Sequence, residues 1–123
     1  MKKIKVGFSA YYNDIDDVLS IYDLNKKVSE VYEFSEFINV SFDKYGCVVG
    51  LEIFDANQFF KLQNPKVNFK SFLSKLNKVE IEQVSFRGNW FLVLYLSIDK
   101  EVIRQQLPPF RKEEYKSPLL CSI

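Results

Sequence analysis

Four aspartates near the start of the chain have the side chain that a hard cation such as Ca²⁺ prefers. They are Asp14, Asp16, Asp17 and Asp23. A calcium-binding loop that began at Asp14 would need an oxygen ligand at the position of Val18 and a glutamate at the position of Asn25. The motif is therefore incomplete, and we interpret these residues as turn-forming acids. Weak binding of a divalent cation by Asp14, Asp16 and Asp17 stays an open alternative.

The side chains that most often carry out catalysis are scarce in this chain. It has no His, which removes the commonest general base, the usual catalytic triads and most zinc sites. No phosphate-binding glycine motif occurs among its four Gly. Glu52 and Asp43 could pair across a hairpin, but their spacing does not define an acid–base pair. The sequence predicts no catalytic residue, no cofactor and no metal site, so an enzyme is the weakest of three functional hypotheses.

A nucleic-acid-binding protein is the alternative hypothesis. Five lysines crowd the middle of the chain, and Arg87 and Trp90 flank a predicted hairpin tip. The lysines are Lys61, Lys66, Lys70, Lys75 and Lys78. A basic helix face could hold phosphates while an aromatic ring stacks on a base. The same lysines also fit the solvent-facing side of an amphipathic helix, and we favour that interpretation because the net charge is only +1.

The preferred hypothesis is a small non-catalytic protein-interaction or structural module that associates with itself. The segment "WFLVLYL", residues 90–96, is apolar on both faces of a strand, which normally requires cover on both sides. The expected interface residues are Phe91, Val93 and Tyr95, with Arg87 and Trp90 at the hairpin tip. Because two-fold association commonly hides such a surface, we expect a homodimer. The alternatives are an unidentified protein partner, or a tail, residues 110–123, that folds back over the surface.

Hydrophobic alternation predicts that most of the chain forms antiparallel strands. "KIKVGFSA" is typical of a half-buried strand, and further extended segments follow up to Phe54. "DKYG" predicts a tight hairpin turn in which Gly46 takes a positive φ. "GN", residues 88–89, predicts a second hairpin. The irregular alternation in the strand before it predicts a β-bulge near Glu82 and Gln83.

Helical segments are predicted between and after these hairpins. Asp55 is expected to cap "ANQFFKL", and Gln58 stands at the capping-box position three residues later. Phe54 and Phe59 occupy the positions of a hydrophobic staple. A second helix has Asn68 as its expected cap, and its apolar stripe consists of Phe69, Phe72, Leu73 and Leu76. "DKEVIRQQL" predicts one or two further helical turns that end before two prolines.

Together these elements predict an α+β fold. An antiparallel β-meander is followed by a helical segment, and a C-terminal β-hairpin packs on it. We expect a single domain, residues 1–123, in which residues 1–62 form the meander and the short helix. Residues 66–123 would contribute the second helix, the hairpin and the tail.

Residues 11–60 resemble the domain of unknown function 2283 family. The matching segments are "IDDVLSIYD" and "INVSFDKYGCVVGLEIFDA", and the most specific part is the G-x-E-I-x-D-A pattern of residues 50–56. The family has an Asp-rich turn where this chain has "INVSFDKYG". The resemblance implies a β-meander with a helix. It implies no established activity and no functional residue.

Two cysteines and the lack of export or membrane signals bear on the compartment. Cys47 and Cys121 lie far apart in sequence without a CxxC motif, so we expect reduced, structural thiols. The basic start of the chain lacks the apolar segment of a signal peptide. The longest apolar run, residues 90–96, is too short to span a bilayer. The sequence therefore predicts a cytoplasmic protein without membrane contact.

Overall fold

The computed structural model describes residues 2–76, 78–87, 89–108 and 120–121. Its main feature is one antiparallel sheet of eight strands, accompanied by two short helices. The strands are β1 (Lys2–Asn13), β2 (Val18–Tyr22), β3 (Glu30–Glu33), β4 (Ile38–Phe42), β5 (Val48–Phe54), β6 (Lys78–Phe86), β7 (Asn89–Ile98) and β8 (Glu101–Gln106). The helices are α1 (Ala56–Lys61) and α2 (Phe69–Ser74). An antiparallel α+β fold was predicted, and this coarse architecture is confirmed.

The long strand β1 joins two parts of the sheet. Its second half, Ser9–Asn13, pairs with β2, and its first half, Lys2–Ser9, pairs with β6. The strand order across the sheet is β3-β4-β5-β2-β1-β6-β7-β8. Because β1 belongs to both parts, the C-terminal strands extend the same sheet that the N-terminal strands begin.

The strand order corrects the predicted simple meander in the first half of the chain. β2 pairs with β1 and β5, not with β3, which follows it in sequence. The connection between β2 and β3 instead passes along one end of the sheet. It is held there because the backbone N–H of Asp23 donates to the carbonyl of Val49, and that of Ser29 donates to the carbonyl of Phe42. β3 consequently becomes an edge strand.

Both helices lie on one face of the sheet, which we call the helix face. Alternate strand residues such as Phe8, Leu19 and Leu51 point to this face and form the core. The rings of Phe60 in α1 and Phe69 in α2 are fully buried, and their centroids are 5.4 Å apart. Burial of these aromatic side chains, together with that of the aliphatic core residues, stabilises the packing of the helices on the sheet. The opposite side of the sheet is called the open face.

Three local predictions are confirmed. Asn68 caps α2, because its Oδ1 accepts the backbone N–H of Ser71 at 3.2 Å. The predicted apolar stripe of α2 is buried: Phe69, Phe72, Leu73 and Leu76. Gly46 has a φ of 81° in the β4–β5 turn. In that turn the Asp43 carboxylate accepts two backbone N–H groups, which fixes the chain reversal.

The predicted helical turns after β7 are wrong, because residues 101–106 form the edge strand β8. Asp99 takes a φ of 50° in a tight turn, and Glu101 then pairs with Ile98. Burial alternates along β8, with Ile103 and Gln105 buried on the helix face. A pattern with a period of two residues therefore outweighed the helix propensity of the charged residues.

The predicted β-bulge near Glu82 and Gln83 is also wrong. β6 pairs with β1 and β7 without a shift in register. The hydrophobic alternation of β6 is irregular in sequence because Gln83, a polar residue, lies at a core position and is 6% exposed. Its Oε1 accepts the backbone N–H of Leu120 at 2.8 Å. The β6–β7 turn lies one residue earlier than "GN" suggested, since Asn89 already pairs with Phe86 in the ladder.

The expectation of two reduced thiols is wrong. Cys47 and Cys121 form a disulfide that links positions 74 residues apart, with their Cα atoms 5.6 Å apart. Leu120, next to this bridge, is buried in the main core. The described part of the tail therefore docks on the helix face and not over Phe91, Val93 and Tyr95, while residues 110–119 lie outside the described residues. In the described ranges, neither helix is long and apolar enough to cross a membrane.

Candidate functional site

The structure divides the predicted interface residues between different surfaces. Phe91, Val93 and Tyr95 lie on the open face, as their alternation with buried Leu92 and Leu94 requires. Trp90 is next to Phe91 in the strand and so lies on the opposite face, across from Ser85. Arg87 is exposed in the turn that joins β6 to β7, with a φ of 50°. These five residues therefore do not form one continuous patch.

Part of this surface is already buried or occupied by polar side chains of the same chain. Val93 is 0% exposed, and Glu82 and Gln106 flank it on the adjacent strands. The hydroxyl of Tyr95 donates to Glu82 Oε1 at 3.0 Å. Lys5 Nζ lies 4.0 Å from the centroid of the Tyr95 ring. Polar side chains thus contact Tyr95 and Val93 is buried within its own chain, which reduces the apolar area available to a second subunit.

The parts of the proposed nucleic-acid site also lie apart. Lys75 follows α2 and Lys78 begins β6, whereas Arg87 follows the end of β6. Nine residues of extended chain from Lys78 to Arg87 correspond to about 30 Å. The lysines named above are exposed, in agreement with a solvent-facing helix surface. The basic helix face and the hairpin tip therefore do not form one compact site.

The aspartates of the β1–β2 turn have separate structural roles. Asn13 Oδ1 accepts the backbone N–H groups of Ile15 and Asp16, which holds the turn. The Asp17 carboxylate points inward instead and accepts the backbone N–H of Asn57 at 3.1 Å. Among the described residues, no group of three His, Cys, Asp or Glu side chains is arranged to hold a metal ion. The hydrogen bonds of Asn13, Asp16 and Asp17 support a structural role for this turn.

Asp17 also takes over the role that was predicted for Asp55. Asp55 stands at the N-cap position of α1, but its φ is 49° and its side chain makes no capping hydrogen bond, so the predicted capping box is wrong. Asp17 instead caps α1 from another element, because its carbonyl accepts the N–H of Ala56 and its carboxylate accepts that of Asn57. The left-handed backbone at Asp55 turns its carboxylate away from these donors.

Tyr12 forms a short hydrogen bond that could suggest acid–base chemistry. Its hydroxyl donates to Asp17 Oδ1 at 2.5 Å. Burial of the ring, followed by the hydrogen bond to Asp17 and the charges of Asp17 and Asp14, raises the pKa of Tyr12 well above its ordinary value. The hydroxyl therefore stays protonated and acts as a donor to the cap. We assign this pair a structural role.

A different surface, on the open face across β1, β2, β5 and β4, has the properties of a binding site. It consists of Ser9, Tyr11, Ser20, Tyr22, Asn39 and Ser41, and we call it the tyrosine–serine face. Tyr11 lies opposite Ser20, and Tyr22 lies between Ser9 and Gly50. Tyr11 is 60% exposed. The two tyrosines thus have small residues as neighbours on the adjacent strands. Glu52 lies between Ser20 and Asn39.

Within the part of the chain that the structure describes, the side chains of the tyrosine–serine face make no internal polar contacts. Within the described residues, none of its six side chains, nor that of Glu52, takes part in a hydrogen bond or an ion pair. The other half of the open face differs, since Lys5 there pairs with Glu80 at 3.9 Å and Tyr95 bonds to Glu82. Donors and acceptors on the tyrosine–serine face therefore remain available to an external molecule.

A second exposed group lies at the opposite end of the N-terminal strands. The β2–β3 connection and the β4–β5 turn flank a cleft of about 450 Å³ that includes Lys27, Lys44 and Tyr45. Tyr45 is 75% exposed. Charges of both signs line this cleft, and the Asp43 carboxylate in it is already bonded to backbone N–H groups. The cleft is therefore the weaker candidate, and its exposed tyrosine offers a control position.

The tyrosine–serine face was not predicted from the sequence, because its residues are uncharged and polar and match none of the charged or apolar patterns that indicated a site. The signal was present, since uncharged polar residues alternate with core residues in "FSAYY" and "LSIY". Such alternation alone is typical of any solvated sheet face. The pairing register was needed to bring Tyr11, Ser20 and Tyr22 together.

Comparison with protein-family models, with curated proteins and with solved structures finds no match to this chain. The resemblance of residues 11–60 to the domain of unknown function 2283 family stays a prediction.

Proposed function

We propose that this protein is a non-catalytic protein-interaction module that binds its partner through the tyrosine–serine face. The observation that carries the proposal is a set of polar side chains that have no hydrogen-bond or ion-pair partner within the described residues. They surround two tyrosines on the sheet face opposite the two described helices. Protein-binding surfaces are enriched in tyrosine, and antibody paratopes combine Tyr with Ser, Gly and Asn. Tyrosine supplies a large contact area at a low cost in side-chain entropy.

The rigid sheet beneath this surface also supports binding. Leu19, Ile21 and Leu51 alternate with the surface residues and are at most 1% exposed. A close-packed core holds the strands in place, so the binding side chains would lose little backbone freedom when a partner docks. The entropic cost of ordering the site on binding is then lower than it would be for a flexible loop.

Self-association through Phe91, Val93 and Tyr95 stays a prediction, as does a cytoplasmic location. The apolar area that motivated the homodimer is smaller than the sequence suggested, because Val93 is buried within its own chain. The predicted reduced thiols no longer support a cytoplasmic location, because the two cysteines form a disulfide. Disulfides persist mainly in oxidising compartments. We therefore base the proposal on a partner protein and not on a second copy.

The proposal is tested by affinity capture with three tagged baits and an extract of the native host cells. The baits are the parent protein, the Tyr11→Ala/Tyr22→Ala variant and the control Tyr45→Ala. Quantitative mass spectrometry should identify a protein that the parent and Tyr45→Ala retain and that the double variant loses. Far-UV circular dichroism and thermal unfolding check that all three baits are folded.

Two results would count against the proposed function. One is capture of the same proteins, in equal amounts, by the parent and the double variant. The other is a retained protein that is lost only with Tyr45→Ala, which would move the binding site to the cleft at the other end of the sheet.

A further inference from the structure

Charge is unevenly distributed along the chain. Residues 6–60 contain ten Asp or Glu but only three basic residues, Lys26, Lys27 and Lys44. The remaining residues carry fourteen Lys or Arg and six Asp or Glu. The near-neutral total therefore hides an acidic segment, residues 6–60, and a basic remainder that includes Lys2, Lys3 and Lys5 at the N-terminus. Such asymmetry gives different surfaces of one molecule opposite electrostatic potentials.

Within the strands β2, β3, β4 and β5, the fold places acidic and basic residues at opposite ends. The three lysines of residues 6–60 lie in the β2–β3 connection and the β4–β5 turn, at the same end as the cleft. The β1–β2 turn, the β3–β4 turn and the end of β5 lie at the opposite end, because Val18 pairs with Phe54 and Ile38 pairs with Ile53. The acids at this end, which we call the acidic end, are Asp14, Asp16, Asp17, Glu33, Glu36, Glu52 and Asp55. Asp17 is already bonded to Tyr12 and Asn57.

The acidic end borders the tyrosine–serine face directly. Glu33, Asn39, Glu52, Ser20 and Tyr11 occupy consecutive strands in one row across the open face. Glu33 and Glu52 flank Asn39 on the two neighbouring strands. Neither carboxylate forms an ion pair or a hydrogen bond within the described residues. The side chain of Lys78, at the β6 border of the face, lies over Gly7 and thus away from this row.

On the basis of the proposed function, we infer that the partner presents a basic protein surface, with Arg or Lys side chains placed against Glu33 and Glu52. An arginine at this row can bond to a carboxylate and stack on the ring of Tyr11. A second copy of this chain would bring like charges together in a two-fold contact. Nucleic acid would meet the same repulsion, because its phosphates are negative.

The inference is tested with a phage-displayed library of random short peptides selected on the immobilised parent protein. Clones that also bind the Tyr11→Ala/Tyr22→Ala variant are removed, so that the remaining clones report on the tyrosine–serine face. The recovered peptides are synthesised and titrated against Glu33→Gln/Glu52→Gln and against a matched control, Asp99→Asn/Glu101→Gln. Both double variants change the net charge by the same amount, and the control acids are exposed at the other edge of the sheet.

The expected result is a set of peptides enriched in Arg and Lys. Their dissociation constants should rise roughly tenfold for Glu33→Gln/Glu52→Gln and less than about twofold for the control. This difference should shrink at high salt, because exposed ion pairs are screened. Neutral or acidic peptides that still require Tyr11 and Tyr22 would overturn the inference while leaving the proposed function intact. A library that yields no tyrosine-dependent clone would count against both.

Discussion

Asp17 caps α1 from a different element of the fold, and this role can be tested quantitatively. Asp17 lies 40 residues from Asn57 in sequence, yet its carboxylate accepts the Asn57 N–H at 3.1 Å and the Tyr12 hydroxyl at 2.5 Å. The Asp17→Ala substitution removes both acceptors. We expect it to destabilise the protein far more than substitution of Asp55, the residue that occupies the N-cap position.

The size of the effect follows from the groups left without a partner. Loss of an N-cap side chain costs about 0.5–2 kcal/mol. The Tyr12 hydroxyl, on a residue that is 8% exposed, would lose its acceptor at a cost of about 1–3 kcal/mol. Because the two losses share one carboxylate, they do not add fully. The expected decrease in the free energy of unfolding from these two losses, without backbone strain, is about 2–4 kcal/mol.

Backbone strain must be separated from the loss of these hydrogen bonds. Asp17 has a φ of 56°, and an alanine in the left-handed region costs about 1–2 kcal/mol by itself. Asparagine tolerates this backbone conformation and has the same shape as aspartate. We therefore expect Asp17→Asn to lower the free energy of unfolding less than Asp17→Ala does. Asp55→Ala carries the same strain, with a φ of 49°, but breaks no capping hydrogen bond. It is therefore the matched control for strain.

Urea unfolding followed by circular dichroism gives the free energy of unfolding for each variant. The predicted order of stability is parent, then Asp55→Ala, then Asp17→Ala. If Asp55→Ala were at least as destabilising as Asp17→Ala, the helix would be capped locally after all, and the assignment of Asp17 as the cap would be refuted.

Three further predictions concern the disulfide, Gln83 and Tyr12. Reduction of the Cys47–Cys121 bridge should lower the free energy of unfolding by about 4 kcal/mol in the loop-entropy description, and equal urea midpoints with and without reductant would contradict this. Gln83→Leu should cost about 1–3 kcal/mol, because the Leu120 N–H loses its acceptor, and unchanged stability would refute the role of this bond. The pKa of Tyr12 is raised above 10.0 in the folded state, so the unfolded chain loses that proton first. Stability should therefore fall as the pH rises above 10.0, and a decline just as steep in Tyr12→Phe would exclude Tyr12 as its source.

The features that could be predicted from the sequence are those fixed by neighbouring residues. Asn68 caps α2 with its own side chain three residues from the accepted N–H, and Gly46 supplies the positive φ of its turn. In each case the residue and the group it satisfies lie within one short segment. Such a feature can be predicted from the chemistry of neighbouring residues alone.

The features that were mispredicted depend on distant parts of the chain. Asp17 caps a helix 40 residues away, and Cys47 pairs with a residue 74 positions later. The buried amide of Gln83 is satisfied by the tail, so its position looked like a slip in register. Helix propensity suggested turns at 99–107, but pairing with β7 made residues 101–106 a strand. The tyrosine–serine face likewise exists only because pairing places β1, β2, β5 and β4 side by side.

The central claim, that the tyrosine–serine face is the docking surface, is tested most directly by the affinity of the captured partner. Isothermal titration calorimetry with that purified protein would compare the parent, Tyr11→Ala, Tyr22→Ala and Tyr45→Ala. Buried interface tyrosines commonly contribute about 2 kcal/mol or more. We therefore predict that at least one of the first two substitutions raises the dissociation constant more than about tenfold, while Tyr45→Ala leaves it within about twofold of the parent. Equal affinities for the parent, Tyr11→Ala and Tyr22→Ala would contradict the claim.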